Sequence, residues 1–381
     1  TTMSRADAYR EAAALEALGH DLFFDPILSG SGKESCSTCH VPDRGFSPAN
    51  ALPVQFGGMD MKSPGTRAAA SLTYLQATPQ FTEHYFDSED EGDASVDNGP
   101  TGGLTWDGRA DRPREQAKIP LLSANEMANS SVQAVVARIA SSKYAPRLRA
   151  IYGDDAFVDP DRAFTGILTA LETFQEDSKT FYPYTSKYDA YLQGKTKLTD
   201  QEARGLALFT DETKGNCSSC HISDVAGDGT PPQFSDFGMI ALGVPRNPEI
   251  PANRDPKYFD LGLCGPLRTD FKGVADYCGL FRTPSLRNVA LRQTFMHNGF
   301  FHSLRKVVDF YATRDTNPEK WYPRKADGTI DIYNDLPEAY RANLNTDPPF
   351  GGRPGDKPAL NDREIDDIVA FLGTLTDGWR K

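Results

Sequence analysis

The sequence predicts a mostly α-helical protein with two domains of the same kind. Apolar residues recur at the spacing of one helix face in several segments, whereas strand patterns are few and form no regular series. A chain of 381 residues is too long for one ordinary core. A helix, a short cysteine motif and a long loop also follow one another twice, which favours two related domains.

Helical spacing is found in residues 5–19, 131–142 and 163–175. The third segment carries a continuous apolar stripe made of Phe164, Ile167, Leu168, Leu171 and Phe174. Because the pattern of helix, cysteine motif and loop begins again after this stripe helix, we place the domain boundary near residues 175–195. The prediction is one domain over residues 1–180 and a second over residues 181–381.

Two further helices are predicted from the residues that open them. Thr199 and Glu202 match a capping box, and Asn361 begins the last helix with the same pattern. Residues 84–103 are acidic and rich in Gly, and residues 225–257 are rich in Gly, Pro and Asp. Both are predicted to be long loops, which are uncommon in a compact domain unless they serve a function.

The charge balance limits the classes of partner. The 53 Asp and Glu residues outnumber the 41 Lys and Arg residues, which gives a formal net charge of −12. An acidic surface repels phosphate groups, so no nucleic-acid partner is expected. No run of 18 apolar residues occurs, so no membrane span is expected either.

Four of the six cysteines lie in two copies of one motif. The copies are Cys36-Ser-Thr-Cys39-His40 and Cys217-Ser-Ser-Cys220-His221. A C-x-x-C-H run is the attachment site of a c-type haem, in which both sulfurs form thioethers and the histidine binds the iron. The sequence therefore predicts two covalently bound haem c groups. The alternatives are a zinc site and a redox dithiol, but a zinc ribbon does not need a histidine after each pair.

Haem attachment of this kind occurs outside the cytoplasm, so a periplasmic protein is expected. The chain begins at Thr1 with neither a basic nor an apolar segment, which suggests that a signal peptide has been removed.

The remaining cysteines, Cys264 and Cys278, are expected to form a disulfide in an oxidising compartment. A reactive thiol pair is the alternative.

The second axial ligand of each iron decides between electron carrier and catalyst. No histidine or methionine is marked as that ligand by its spacing. A tyrosine stands out instead, because Leu304, Val307, Val308 and Tyr311 share one helical face. Taken alone, Tyr311 is interpreted as a core tyrosine whose hydroxyl has a partner. Trp321 and Trp379 are likewise interpreted as structural residues.

Several ordered segments together resemble the bacterial di-haem cytochrome c peroxidase superfamily, and within it the MauG-like enzymes. Besides the two haem motifs, the similar segments are Thr105-Trp106-Asp107-Gly108-Arg109-Ala110-Asp111, Asn125-Glu126-Met127, Thr283-Pro284-Ser285-Leu286-Arg287-Asn288-Val289-Ala290 and Met296-His297-Asn298-Gly299. The resemblance implies two cytochrome c-like domains. It also implies that Tyr311, at the place where ordinary peroxidases have methionine, is the distal ligand of the haem on His221.

The resemblance assigns roles to four further residues. The haem on His40 would be open to peroxide, in a distal pocket formed by Gln116, Pro120 and Glu126. An amide and a carboxylate beside bound peroxide suit the general acid–base work of its cleavage. Trp106 matches the tryptophan that relays an electron hole between the two haems of this family.

The implied activity is that of a peroxide-dependent di-haem oxidoreductase. Hydrogen peroxide would produce a high-valent two-haem state, which then oxidises a residue of a partner protein, expected to be tryptophan, at long range. One alternative is a peroxidase that reduces peroxide with electrons from a small redox protein. Another is an electron carrier without peroxide chemistry.

The sequence departs from the family pattern in several places. Gly215 occupies the position at which MauG carries a tryptophan that passes holes to its partner, so the exit route is expected to differ. Family members often bind calcium through an asparagine, but the matching residue is Ala68. The carbonyls of Arg292 and Thr294 would remain as ligands, so calcium is doubtful. The Cys264–Cys278 pair is absent from MauG. In this feature the chain resembles the MauG-like enzymes of methanobactin operons.

Overall fold

The computed structural model describes residues 3–86 and 97–381, and these confirm the mostly helical prediction. The α-helices are α1 (Arg5–Phe24), α2 (Cys36–Cys39), α3 (Pro113–Leu122), α4 (Val132–Ala140), α5 (Ala145–Tyr152), α6 (Pro160–Gln175), α7 (Ser178–Phe181), α8 (Lys187–Leu192), α9 (Asp200–Thr210), α10 (Leu304–Thr313) and α11 (Asp362–Gly373). Among the described helices, none has the length and apolar character needed to cross a membrane.

The described residues form two compact units. The first contains residues 3–49, 54–76 and 110–183. The second contains residues 50–53, 77–86, 97–109 and 184–381. The chain thus divides mainly between residues 183 and 184, but two earlier segments belong to the second unit.

In the first unit, α1 packs against α6. Leu18 and Leu22 of α1 and Ile167 and Leu171 of α6 are buried in the same apolar core. The two helices approach closely at Gly19, where a Cβ atom would lie 1.8 Å from the carbonyl oxygen of Ala170. A side chain at this position would therefore force α1 and α6 apart.

The second unit repeats this arrangement with α9 and α11. Here Gly205 is the residue of close approach, because its Cβ would lie 1.9 Å from the carbonyl oxygen of Asp367. Both helices begin as the sequence predicts: the hydroxyl of Thr199 accepts a hydrogen bond from Glu202 N–H, and the Asn361 side chain accepts one from Glu364 N–H. In both units the helix preceding the cysteine motif is thus held by the last long helix of that unit.

Strands contribute little to the fold. The antiparallel strands β1 (Phe56–Gly57) and β2 (Ser63–Pro64) pair in the first unit, and β3 (Met239–Ile240) and β4 (Phe281–Arg282) pair in the second. The predicted loop over residues 225–257 contains only β3 and one short 3-10 turn. The predicted loop over residues 84–103 lies partly outside the described residues.

The second unit contains the expected disulfide between Cys264 and Cys278, whose Cα atoms are 4.9 Å apart. The closed loop carries Arg268, which is only 6% exposed. Its guanidinium lies 3.9 Å from the ring centroid of Phe81 and donates a hydrogen bond to the carbonyl oxygen of Asp107 at 2.9 Å. The disulfide therefore closes a loop that is anchored on the Trp106–Asp107 segment.

Replacing both Cys264 and Cys278 by Ala is expected to lower the free energy of unfolding by about 3 kcal/mol, because a closed loop of about 15 residues restricts the unfolded chain by that amount. The measurement is urea denaturation followed by circular dichroism. A thiol reductant should shift the wild-type midpoint to that of the variant and leave the variant unchanged. Equal midpoints for the oxidised wild type and the variant would contradict this expectation.

Two candidate haem sites

The first cysteine motif forms a single helical turn. The short helix α2 is closed by His40, whose backbone N–H donates to the carbonyl oxygen of Cys36 at 3.0 Å. The imidazole Nδ1 of His40 is hydrogen-bonded to the carbonyl oxygen of Phe46 at 2.9 Å. With Nδ1 engaged in this way, a bond to a metal would be made through Nε2.

The second motif repeats this geometry with a tighter turn. Residues Cys217–Ser219 form a 3-10 helix, and the backbone N–H of His221 donates to the carbonyl oxygen of Cys217 at 2.8 Å. The Nδ1 atom of His221 is hydrogen-bonded to the carbonyl oxygen of Phe234 at 2.9 Å. Burial lowers the pKa of His221 to about 4, so its ring is neutral at pH 7 and suited to bind a metal.

The loop that supplies the Phe234 carbonyl is held by a buried ion pair. Arg287 is 2% exposed and Asp189 is 3% exposed, and two hydrogen bonds of 2.9 and 3.0 Å join them. The Nε atom of Arg287 also donates to the carbonyl oxygen of Pro232 at 2.8 Å. Arg287 lies in one of the segments that carry the family resemblance, and this contact gives it a physical role in positioning His221.

The donor set at both sites fits a c-type haem. None of the four motif cysteines forms a disulfide. Burial raises the pKa of Cys36, Cys39 and Cys217 to about 12 and that of Cys220 to about 11, so the four sulfurs lie in apolar surroundings that suit contact with a haem. Within residues 3–86 and 97–381 there is no group of three or more His, Cys, Asp or Glu that could hold a metal ion.

The structure brings together the three residues predicted to form the distal pocket of the first site. Gln116 and Pro120 lie one turn apart on α3. The backbone N–H of Met127 donates to the carbonyl oxygen of Pro120 at 3.1 Å, which places the neighbouring Glu126 beside that turn. Glu126 is exposed and Gln116 is half-buried. Their catalytic roles remain predictions.

Glu34 is a candidate that the sequence did not reveal. It is 4% exposed, and its Oε1 atom has no hydrogen-bond partner. Burial, with a smaller contribution from the nearby charge of Glu126, raises the pKa of Glu34 to about 7. Both carboxyl groups also raise the pKa of Cys39, so they lie near the first haem motif. A buried carboxyl with a raised pKa is typical of functional sites.

Tyr311 lies near the cysteines of the second motif. Its side chain belongs to α10 and packs against the second core. Burial raises the pKa of the Tyr311 phenol above its ordinary value; the Cys220 and Cys217 sulfurs add to this rise, and the Arg314 guanidinium opposes it. Met296 packs against the same core.

Trp106 lies in a segment whose backbone is held at several points. Its carbonyl oxygen accepts a hydrogen bond from Arg282 N–H at 2.8 Å. The next residue, Asp107, is fully buried and forms hydrogen bonds of 2.8 and 2.9 Å to Arg109. Thr105 adds a hydrogen bond of 2.6 Å to Asp107, so the turn around Trp106 has little freedom to move.

The residues named for calcium do not favour a divalent cation. The Nε atom of Arg292 donates to the carbonyl oxygen of Thr294 at 3.2 Å. A guanidinium at this carbonyl competes with a metal ion for the same oxygen and repels it. Burial lowers the pKa of Arg292 only to about 10, so the group is charged at pH 7.

Position 215 has no room for a side chain. A Cβ atom on Gly215 would lie 2.6 Å from the carbonyl oxygen of Leu208 and 3.1 Å from the Sγ atom of Cys217. The chain therefore differs from MauG at this position in the space around the residue as well as in the residue itself. A tryptophan here would require the second haem motif to shift.

The fold and the two sites define a c-type di-haem protein. A family model for di-haem cytochrome c peroxidases matches residues 13–197. Methylamine utilization protein MauG of Paracoccus denitrificans is 34% identical over 378 residues, which cover 96% of this chain and 89% of MauG. The chain belongs to the MauG di-haem cytochrome c peroxidase family and is a peroxide-dependent oxidoreductase with two haem groups.

Two solved structures are similar over nearly the whole chain. The diheme peroxidase BthA from Burkholderia thailandensis is 40% identical, with a TM-score of 0.85 and coverage of 96% of this chain and 86% of BthA. A MauG-like protein associated with microbial copper homeostasis is 27% identical, with a TM-score of 0.64 and coverage of 99% of this chain and 91% of that protein.

The Glu34 carboxyl predicts a pH-dependent stability. Its pKa is about 7 in the folded chain and near 4.5 when it is exposed, so the folded state holds the extra proton between these values. The free energy of unfolding is therefore expected to fall as pH rises from about 4.5 to about 7. Glu34→Gln should flatten this slope in denaturant titrations at several pH values.

The matched control is Glu16→Gln, which changes an exposed glutamate on α1 of the same unit. It should keep the wild-type slope. An unchanged slope in Glu34→Gln would show that the Glu34 carboxyl is not the source of the pH dependence.

Proposed function

We propose that this enzyme uses hydrogen peroxide at the His40 haem to oxidise a residue of a partner protein, in particular a tryptophan, without direct contact between that residue and either haem. The observation that carries this proposal is the position of Tyr311 near Cys217 and Cys220. Haems held by the two cysteine motifs with His40 and His221 would supply the redox chemistry, which is storage of the two oxidising equivalents of peroxide. The chain positions protons, ligands and relay residues around them.

Tyr311 is proposed to be the distal ligand of the haem on His221. A phenolate oxygen is a harder and more electron-donating ligand than a thioether, so it stabilises oxidised iron over reduced iron. Burial raises the pKa of Tyr311, and the nearby positive charge of Arg314 acts in the opposite direction. The Arg314 guanidinium therefore favours the ionised phenol. Such a site retains oxidising equivalents rather than passing on electrons.

Glu126 and Gln116 are proposed to act on peroxide at the first site. The Glu126 carboxylate accepts a proton from one peroxide oxygen and returns it to the other, which leaves as water. The Gln116 amide donates a hydrogen bond that orients the substrate. Glu126 is exposed and can exchange protons with solvent, whereas Glu34 is buried beside it.

Trp106 is proposed to relay the electron hole between the two haems. Its turn is held by Arg282, Asp107 and Arg268, so the indole changes position little when its charge changes. A periplasmic location is also proposed, and the Cys264–Cys278 disulfide supports it because such bonds persist in oxidising compartments.

The second candidate function is a peroxidase that reduces peroxide with electrons from a small redox protein. The observation that favours it is the 40% identity to the diheme peroxidase BthA. A simple electron carrier is separated from both enzymes by adding peroxide to the oxidised protein and recording its spectrum.

Tyr311→Met is expected to abolish oxidation of the partner protein while consumption of peroxide with an artificial electron donor continues. The reason is that a thioether ligand favours reduced iron and removes the capacity to retain oxidising equivalents at the second haem. Mass spectrometry of the partner and an optical assay of peroxide measure the two activities.

The control is Tyr322→Phe, which removes the hydroxyl of another buried tyrosine in the same core. It should leave both activities at wild-type levels. Undiminished partner oxidation by Tyr311→Met would disprove the role proposed for Tyr311.

Glu126→Gln is expected to slow the reaction with peroxide by about 10²–10⁴-fold, the usual contribution of a general acid–base group. Stopped-flow absorbance of the haems measures the rate. Glu16→Gln, which removes an exposed charge from α1, should react at the wild-type rate. Equal rates for the two variants would exclude Glu126 as the proton-transfer residue.

A further inference from the structure

Trp321 occupies a distinctive place in the second unit. It follows the 3-10 turn Pro318–Lys320 and its side chain is half-buried. Its ring packs edge-on against Phe310, with 5.6 Å between the ring centroids and an interplanar angle of 89°. It makes a similar contact with Phe301 at 5.7 Å. The indole therefore lies over the second core and reaches the surface of the unit.

The same core links Trp321 to the proposed haem ligand. The rings of Phe310 and Tyr311 are 6.3 Å apart, and Phe310 is fully buried. Two ring contacts thus lead from the Tyr311 phenol through Phe310 to the Trp321 indole. Phenylalanine is too difficult to oxidise to hold an electron hole, so Phe310 can only bridge the two rings. The indole is the more easily oxidised end of this path and the end that approaches the surface.

We propose that Trp321 is the residue through which oxidising equivalents leave the second haem site for a protein substrate. The proposal rests on the proposed function, because it requires Tyr311 at the haem on His221. It supplies the exit route that position 215 cannot provide, since Gly215 has no room for a side chain.

The electron balance of this route is simple. One electron passes from the indole of Trp321 through Phe310 and Tyr311 to the oxidised haem site, and no bond forms or breaks at Trp321. One electron from an aromatic side chain of the protein substrate then restores the indole. Two such transfers provide the two electrons that convert one hydrogen peroxide, with two protons, into two water molecules.

The surroundings of Trp321 suit a residue that carries a transient positive charge. Its Nε1–H donates to the hydroxyl oxygen of Thr313 at 3.0 Å, and this hydroxyl donates to the carbonyl oxygen of Asp309 at 2.6 Å. The Asp309 carboxylate is 4% exposed and forms an ion pair with Lys320. The Lys320 ammonium lies 5.1 Å from the indole centroid. Its positive charge alone would make the ring harder to oxidise, but the negative charge of Asp309 offsets this effect.

The test compares Trp321→Phe with the matched control Trp379→Phe, which changes another half-buried tryptophan of the same unit. Each haem-loaded protein is mixed with stoichiometric hydrogen peroxide. Electron paramagnetic resonance with ring-deuterated tryptophan detects an indole radical, and peptide mass spectrometry locates oxidised residues. In the wild type and in Trp379→Phe, the radical and the oxidation products should map to Trp321.

Trp321→Phe should lose this radical, and its oxidised haem spectrum should decay about tenfold more slowly, which corresponds to about 1.4 kcal/mol in the barrier. Oxidation of the partner should slow by at least the same factor. Trp321→Tyr, which keeps an oxidisable ring, should recover part of the rate. This variant also keeps the test valid if Trp321→Phe does not fold.

Two failures are distinguishable. If the wild type reacts with peroxide but neither forms a protein radical nor modifies a partner, the proposed function is wrong. If the wild type modifies the partner and Trp321→Phe does so at the same rate, only the route through Trp321 is wrong. A radical that maps to Trp379 would also overturn this route.

Discussion

Each candidate haem site depends on one hydrogen bond, which joins the Nδ1 atom of a histidine to a backbone carbonyl oxygen. The bonds are equal in length, 2.9 Å from His40 to Phe46 and 2.9 Å from His221 to Phe234. Such a bond fixes the plane of the imidazole, selects Nε2 for iron and makes the ring a stronger donor. In the second unit the buried pair of Arg287 and Asp189 helps to hold the loop that carries this carbonyl.

The two sites share this bond but differ in the groups that surround it. Carboxyl groups of Glu34 and Glu126 lie near the first motif, and burial raises the pKa of Glu34 to about 7. The second motif is covered by apolar side chains, with the phenol of Tyr311 among them. Peroxide cleavage requires protons, whereas storage of an oxidising equivalent is best protected from them. The difference in polarity therefore matches the division of labour proposed for the two haems.

The sequence predicted what is determined by local spacing. A C-x-x-C-H run defines its own chemistry within five residues, and the capping residues Thr199 and Asn361 act within one turn. Tyr311 was predicted to face inward from the apolar face of its helix alone, although its link to the second haem required the family resemblance.

Glu34 was missed because its burial depends on residues far away in the chain. The backbone N–H of Gly30 donates to the carbonyl oxygen of Met127 at 2.6 Å, and this contact joins the loop before Cys36 to the segment that carries Glu126.

Trp321 was interpreted as structural because its ring contacts with Phe310 also depend on tertiary packing. They form only when the turn Pro318–Lys320 folds back against α10. A relay residue in an electron path must keep its position when its charge changes. Packing contacts of this kind meet that requirement, and because they join residues from separate elements, spacing along the chain does not reveal them.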